Sequence, residues 1–153
     1  MTKKILSIDG GGIRGLIPAL VLAEIEKRTS KPIAELFDLV AGTSTGGILA
    51  MGLTIGNADR KPRYAANDLA KTYSQRGGEI FKKSRWPFSG VFDELYDADG
   101  LETVLLEQFG NEPLGSSIRN VLVSSYDIHA RKPYFFKSWN PVDAAVEMRM
   151  VGR

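Results

Sequence analysis

The chain has 153 residues, 43% of them hydrophobic and 25% charged, the composition of one ordinary globular domain with a real core. A formal net charge of +2 makes no electrostatic case for nucleic acid, and the absence of cysteine removes disulfides, thiolate catalysis and cysteine-ligated metals together. A single histidine, His129, leaves too few soft ligands for a zinc site; no metal and no cofactor are expected.

The opening residues, MTKKILSIDG, carry two lysines but an apolar run too short for a secretory signal, and no run approaches transmembrane length. The expectation is a cytoplasmic chain whose membrane contact, where it has any, is peripheral. Residues 4–8 (KILSI) read as a short buried strand that ends at Asp9 and three glycines. Residues 15–28 read as a helix, with Pro18 in its first turn and Leu16, Ile17, Leu20, Val21 and Ile25 on its buried face. A short helix follows Pro32, then a second buried strand over 37–43 (FDLVAGT) and a small, apolar helix over 45–53. Strand, loop, helix, strand, turn and helix in this order predict an α/β fold around a parallel sheet.

Residues 57–63 form a polar linker and 64–75 a further helix. Residues 81–96 read as a loop or a short helical excursion. Asp99 and Glu102 make a capping box for a helix that runs through Phe109 and stops at Gly110. Two strands, 120–127 and 133–139, flank a polar turn that holds His129, and Asn140 with Pro141 starts a helix that runs to Arg153.

Two glycine motifs carry the chemistry. Gly42-Thr43-Ser44-Thr45-Gly46 fits G-x-S-x-G, in which a serine sits on a tight strand-to-helix turn and its hydroxyl is pushed out toward substrate. The flanking glycines are required because neighbouring side chains would collide in such a turn. Gly10-Gly11-Gly12-Ile13-Arg14-Gly15 fits G-x-G-x-x-G, the spelling of a dinucleotide-binding loop. That site needs an acidic residue at the end of the second strand for a ribose hydroxyl, and here the strand ends in Ala41-Gly42-Thr43-Ser44. Glu35 precedes the strand and Asp38 opens it, so nicotinamide binding is set aside. Two parallel strands joined by a right-handed crossover bring the first glycine loop beside Ser44. Bare amides at a helix start suit a developing oxyanion.

At this point the motifs are recognisable. Asp9-Gly10-Gly11-Gly12-Ile13-Arg14-Gly15 followed by Gly42-Thr43-Ser44-Thr45-Gly46-Gly47 resembles the patatin-like phospholipase family, and a weaker resemblance continues through 96–106 and 121–136. The resemblance implies a three-layer α/β/α sandwich around a mainly parallel sheet and hydrolysis of acyl esters of phospholipids and other lipids without a metal. It implies Ser44 as nucleophile, Gly10 to Gly15 as oxyanion hole, and a Ser–Asp dyad that needs no histidine. The family's aspartate lies in a later Asp-Gly-Gly or Asp-Gly-Ala motif, which this sequence lacks; its Asp-Gly pairs are Asp9-Gly10 and Asp99-Gly100. The expectation is therefore a single patatin-like domain over 1–153, representing its N-terminal part, with the dyad aspartate beyond Arg153. An edge truncated in this way would favour self-association.

Other residues have plainer readings beside the sharp ones. Arg14 either adds charge to the oxyanion loop or positions it. Asp9 reads as a structural partner of the loop amides rather than a base, Asp127 as a hairpin-turn residue ahead of its other reading as the internal substitute for the missing acid, His129 as a turn residue, and Met148 and Met150 as packing. The cluster Lys82, Lys83, Arg85, Trp86 and Phe88 is either an interfacial anchor or a solvated loop. The competing function is a non-catalytic lipid- or protein-binding module of the same fold.

Overall fold

The computed structural model describes residues 2–80 and 98–151. The proposed anchor at 82–88 lies outside these residues. The described elements are β1 (Ile5–Ile8), a 3-10 turn (Gly12–Gly15), α1 (Leu16–Thr29), α2 (Ile33–Leu36), β2 (Leu39–Thr43), α3 (Thr45–Thr54), α4 (Ala66–Ile80) and α5 (Ala98–Phe109). A second 3-10 turn (Leu114–Ser116) leads to β3 (Asn120–Asp127), β4 (Lys132–Lys137), α6 (Pro141–Ala144) and α7 (Met148–Val151). The α/β class expected from the sequence is present.

The four strands form one sheet in the order β1-β2-β3-β4, with β1, β2 and β3 parallel and β4 antiparallel to β3. The register pairs Ile8 with Gly42 and Gly42 with Val123, so three strand ends line up across the sheet. Both crossovers step the same way, and right-handed connections then put their helices on one face. Ile8, Val40, Val121 and Val123 point into that face and are buried with Leu49, Met51, Leu53 and Phe109. On the opposite face, Ile5 is 62% and Phe135 46% exposed. Among the described residues β1 pairs on one side only.

Two sequence expectations need correction. The buried side of α1 is Ala19 and Leu22, with Leu16, Ala23 and Ile25 partly covered, whereas Ile17, Leu20 and Val21 are more than half exposed. The slender Ala19 side is the one that packs, and α1 lies chiefly against α4. The helix expected from Asn140 to the terminus is instead two short ones. Asn140 caps α6, its side-chain oxygen accepting from the amides of Val142 and Asp143. The chain then breaks to pair with the 112–114 segment, where Leu114 N–H donates to Val146 O and Met148 N–H to Glu112 O. Asp143 is buried and satisfied by the Tyr134 hydroxyl and the Lys137 amide. Met148 is buried as expected, while Met150 is 43% exposed.

Glu26, on α1, joins three helices. One carboxylate oxygen accepts from Ile33 N–H at 2.9 Å and the other from Ala66 N–H at 2.8 Å. These are first-turn amides of α2 and α4, which have no intrahelical acceptor of their own.

Candidate active site

β2 delivers Ser44 to the carboxyl end of the sheet, and α3 begins at the next residue. Ser44 has φ 51° and ψ −125°, a backbone conformation that costs a side-chain-bearing residue about 1–3 kcal/mol. The surroundings enforce it. Ser44 O accepts from the amides of Gly47 at 2.8 Å and Ile48 at 3.2 Å, which starts the helix directly behind the turn. A Cβ on Gly42 would run into the Gly46 carbonyl, and one on Gly46 into the carbonyl of Ile8 on β1. One on Gly47 would sit 2.7 Å from Val123 Cγ1 and hold α3 off the sheet. The glycines thus permit three close approaches that leave the Ser44 residue exposed and its neighbour Thr45 buried.

The first glycine loop is laced to this turn. Gly10 N–H donates to Thr43 Oγ1 at 2.8 Å and Gly11 N–H to Thr45 Oγ1 at 3.2 Å. A Cβ on Gly10 would lie 2.7 Å from Ser44 Cβ, so the loop touches the serine itself. Ile13 reaches across to α4 and fills the space that a Cβ on Gly77 would need. The structure therefore brings Gly10 to Gly15, Gly42 to Gly46 and Ser44 into one locus.

The hydrogen bonds also sort the loop amides. Those of Gly10 and Gly11 are occupied by the threonine hydroxyls, and Arg14 N–H turns back to Gly11 O at 3.2 Å. Gly12 and Ile13 open the 3-10 turn, so their amides have no intrahelical acceptor, and among the described residues none is supplied from elsewhere. The amide of Thr45, first residue of α3, is in the same position. Among the described residues, the amides of Gly12, Ile13 and Thr45 are thus left without an acceptor.

The Asp9 side chain is exposed and has no hydrogen-bond partner among the described residues; the loop amides it was expected to hold go to Thr43 and Thr45 instead. Asp127 ends β3, where its Oδ1 accepts from Ala130 N–H, and His129 is exposed in the turn that follows. The Arg14 guanidinium bonds back to Gly11 O at 3.4 Å. Among the described residues, no carboxylate or imidazole is hydrogen-bonded to the Ser44 hydroxyl.

Tyr73 carries no signal in either motif, yet it reaches this locus. Its hydroxyl donates to Thr45 O at 3.1 Å, and burial pushes its phenol well above the usual range. The sequence placed it on a helix four residues from Leu69, a spacing that marks core but names no partner for the hydroxyl. An open basin of about 460 Å³ lined by Asn57, Arg60, Arg63, Glu112, Ser116 and Ser117 lies at the far end of α3, about 15 Å along the helix from Ser44. Among the described residues no three His, Asp or Glu side chains gather within metal-binding reach, and no helix is long and apolar enough to cross a membrane.

Comparison with known proteins converges on one family. The model of the patatin-like phospholipase family matches residues 6–147. Patatin-like protein 2 of Oryza sativa subsp. indica is 39% identical over 148 residues, covering 88% of this chain and 36% of that protein. Patatin-T5 of Solanum tuberosum is 37% identical over 143 residues, with 89% and 36% covered. Patatin-like protein 4 of Arabidopsis thaliana is 35% identical over 158 residues, with 95% and 39% covered. The chain spans little more than a third of the length of the curated relatives it matches.

Proposed function

Since the chain belongs to the patatin-like phospholipase family, we propose that it carries the nucleophile half of a serine lipid acyl hydrolase, with Ser44 attacking the ester carbonyl. The observation that carries this reading is the strained Ser44 turn, tied through Thr43 and Thr45 to a glycine loop with unoccupied amides beside it. In the proposed reaction Ser44 Oγ bonds to the carbonyl carbon of an acyl lipid while a base takes its proton. The carbonyl oxygen becomes an anion held by the free amides of Gly12, Ile13 and Thr45, a stabilisation of about 3 kcal/mol per donor. Collapse expels the alcohol, which leaves with the proton, and water then hydrolyses the acyl-enzyme by the same route in reverse.

The base in this reading is an aspartate from the portion of the relatives' length that this chain does not span. The 153 residues alone are then expected to show no ester turnover above background. The far more reactive fluorophosphonates should label Ser44 slowly, through the roughly 10³–10⁴-fold acceleration that an oxyanion hole and binding retain without a base. The substrate is an acyl ester of membrane origin, reached by peripheral contact. The open edge of β1 and the bare face around Ile5 and Phe135 support association between copies.

Among the described residues no base is hydrogen-bonded to Ser44, and this favours a second reading, a non-catalytic lipid- or protein-binding module. Fluorophosphonate labelling of the wild type and of Ser44→Ala decides between them. Labelling that Ser44→Ala abolishes supports the hydrolase; no labelling, or equal labelling of both, rejects it.

A further inference from the structure

We propose that Tyr73, which lies in neither glycine motif, is a positioning residue of this site, a role that rests on Ser44 being the nucleophile. The phenol is 4% exposed and its hydroxyl donates to Thr45 O at 3.1 Å. Thr45 is 3% exposed, follows the nucleophile directly, and accepts Gly11 N–H on its own hydroxyl at 3.2 Å. Gly15 closes the same junction: a Cβ there would stand 3.1 Å from Thr45 Cβ and 3.3 Å from Tyr73 Cε1. The glycine loop, the serine turn and α4 thus meet on one residue. Thr45 is held by its carbonyl from one side and by its hydroxyl from the other.

A phenylalanine would fill nearly the same space as Tyr73. The hydroxyl adds a bond to Thr45, and a buried hydroxyl would be costly without such a bond, so an oxygen at that point serves to hold Thr45. The consequence reaches the chemistry in two ways. Fixing Thr45 fixes its own free amide, which adjoins the nucleophile. It also keeps the Thr45 hydroxyl on Gly11, so that Gly12 and Ile13, rather than Gly11, present free donors. Oxyanion stabilisation depends on donor placement to within a fraction of an ångström, and a displacement of about 1 Å can cost about 10²-fold in rate.

The test uses the 153-residue chain with Tyr73→Phe, Thr45→Val, Thr45→Ser and Ser44→Ala. Two readouts are taken: amide hydrogen exchange at Gly11, relative to the core amides of Val40 and Val121, and the rate of fluorophosphonate labelling. Tyr73→Phe is expected to speed Gly11 exchange selectively and to slow labelling about tenfold. Thr45→Val should do both more strongly, and Thr45→Ser, which keeps the acceptor, should restore both. A merely structural tyrosine would raise exchange at Val40 and Val121 as much as at Gly11. That uniform pattern, or labelling of Tyr73→Phe within about twofold of wild type while Ser44→Ala stays unlabelled, overturns the proposal. A wild-type chain that takes no label, or takes it equally in Ser44→Ala, defeats the nucleophile reading first, and the Tyr73 role with it.

Discussion

Alanine substitutions along the first glycine loop should separate three neighbouring residues by three different physical effects. At Gly10 a new Cβ would collide with the Thr43 carbonyl and stand 2.7 Å from Ser44 Cβ, where ordinary contact begins near 3.4 Å. Relief requires the β1 and β2 ends to part by close to 1 Å, against a sheet pairing that fixes Ile8 on Gly42. Overpacking of that kind costs about 1–3 kcal/mol, and the displaced serine loses about 10²-fold in reactivity. Among the described residues, the methyl added at Gly11 would meet only Arg14 Cβ and Nε at 3.6 Å, and φ of 163° lies outside the left-handed region that favours glycine. Gly11→Ala should therefore label nearly as fast as wild type. At Gly12 the obstacle is conformational, because φ is 59° and a left-handed alanine costs about 1–2 kcal/mol. Fluorophosphonate labelling rates, read beside thermal unfolding, should rank wild type and Gly11→Ala together, then Gly12→Ala, then Gly10→Ala. If Gly11→Ala falls as far as Gly10→Ala, the assignment of Gly11 to Thr45 rather than to the oxyanion is wrong.

Three further outcomes are expected. Because burial raises the Tyr73 phenol above its ordinary pKa of 10.0, its neutral form is favoured by folding; that contribution is complete below about pH 10 and fades as pH rises toward the folded value. The stability difference between wild type and Tyr73→Phe should shrink between about pH 8 and about pH 11 in denaturant titrations, and a difference that grows would contradict the sign. Glu26→Ala should cost about 2–3 kcal/mol in urea unfolding, since it strands first-turn amides of both α2 and α4; a loss under about 0.5 kcal/mol would mean that water replaces the carboxylate. Sedimentation should find the wild-type chain self-associating and Ile5→Lys shifted toward monomer, because a lysine on an edge strand opposes pairing; identical distributions would clear this edge of any role.

The sequence disclosed the frame because its signals there are local. Strand β2 was expected over 37–43 and occupies Leu39–Thr43. Its start is trimmed because the Asp38 carboxylate accepts Lys4 N–H and draws that residue into a cap. The helix behind Ser44 follows from glycines that no other local structure explains. What local signals could not decide was which side of α1 faces inward. Ile17, Leu20 and Val21 have the right period for a core, but so do Ala19, Leu22 and Ile25. The choice was made by α4, more than 35 residues away, which packs against the narrow alanine side. The C-terminal helix failed for the same kind of reason, since its break is imposed by backbone bonds to Glu112 and Leu114.

Within the site, the residue types were legible and their division of labour was not. G-x-S-x-G and the triple glycine say that backbone must come close to backbone, and Gly10, Gly42 and Gly46 each meet that demand with a contact that excludes a Cβ. Nothing in those letters says which amides are left over. That depends on Thr43 and Thr45, positions the motif writes as x, whose hydroxyls take up Gly10 and Gly11. A hydroxyl at 45 that accepts from the loop holds the loop and serine at one separation, and Tyr73 holds that hydroxyl's residue from beneath. In the proposed reaction, the variable letters around Ser44 therefore select its oxyanion donors. In this chain Thr45 to Val would leave the motif intact as a string, and yet return Gly11 to the pool of free donors and loosen the loop that must present them.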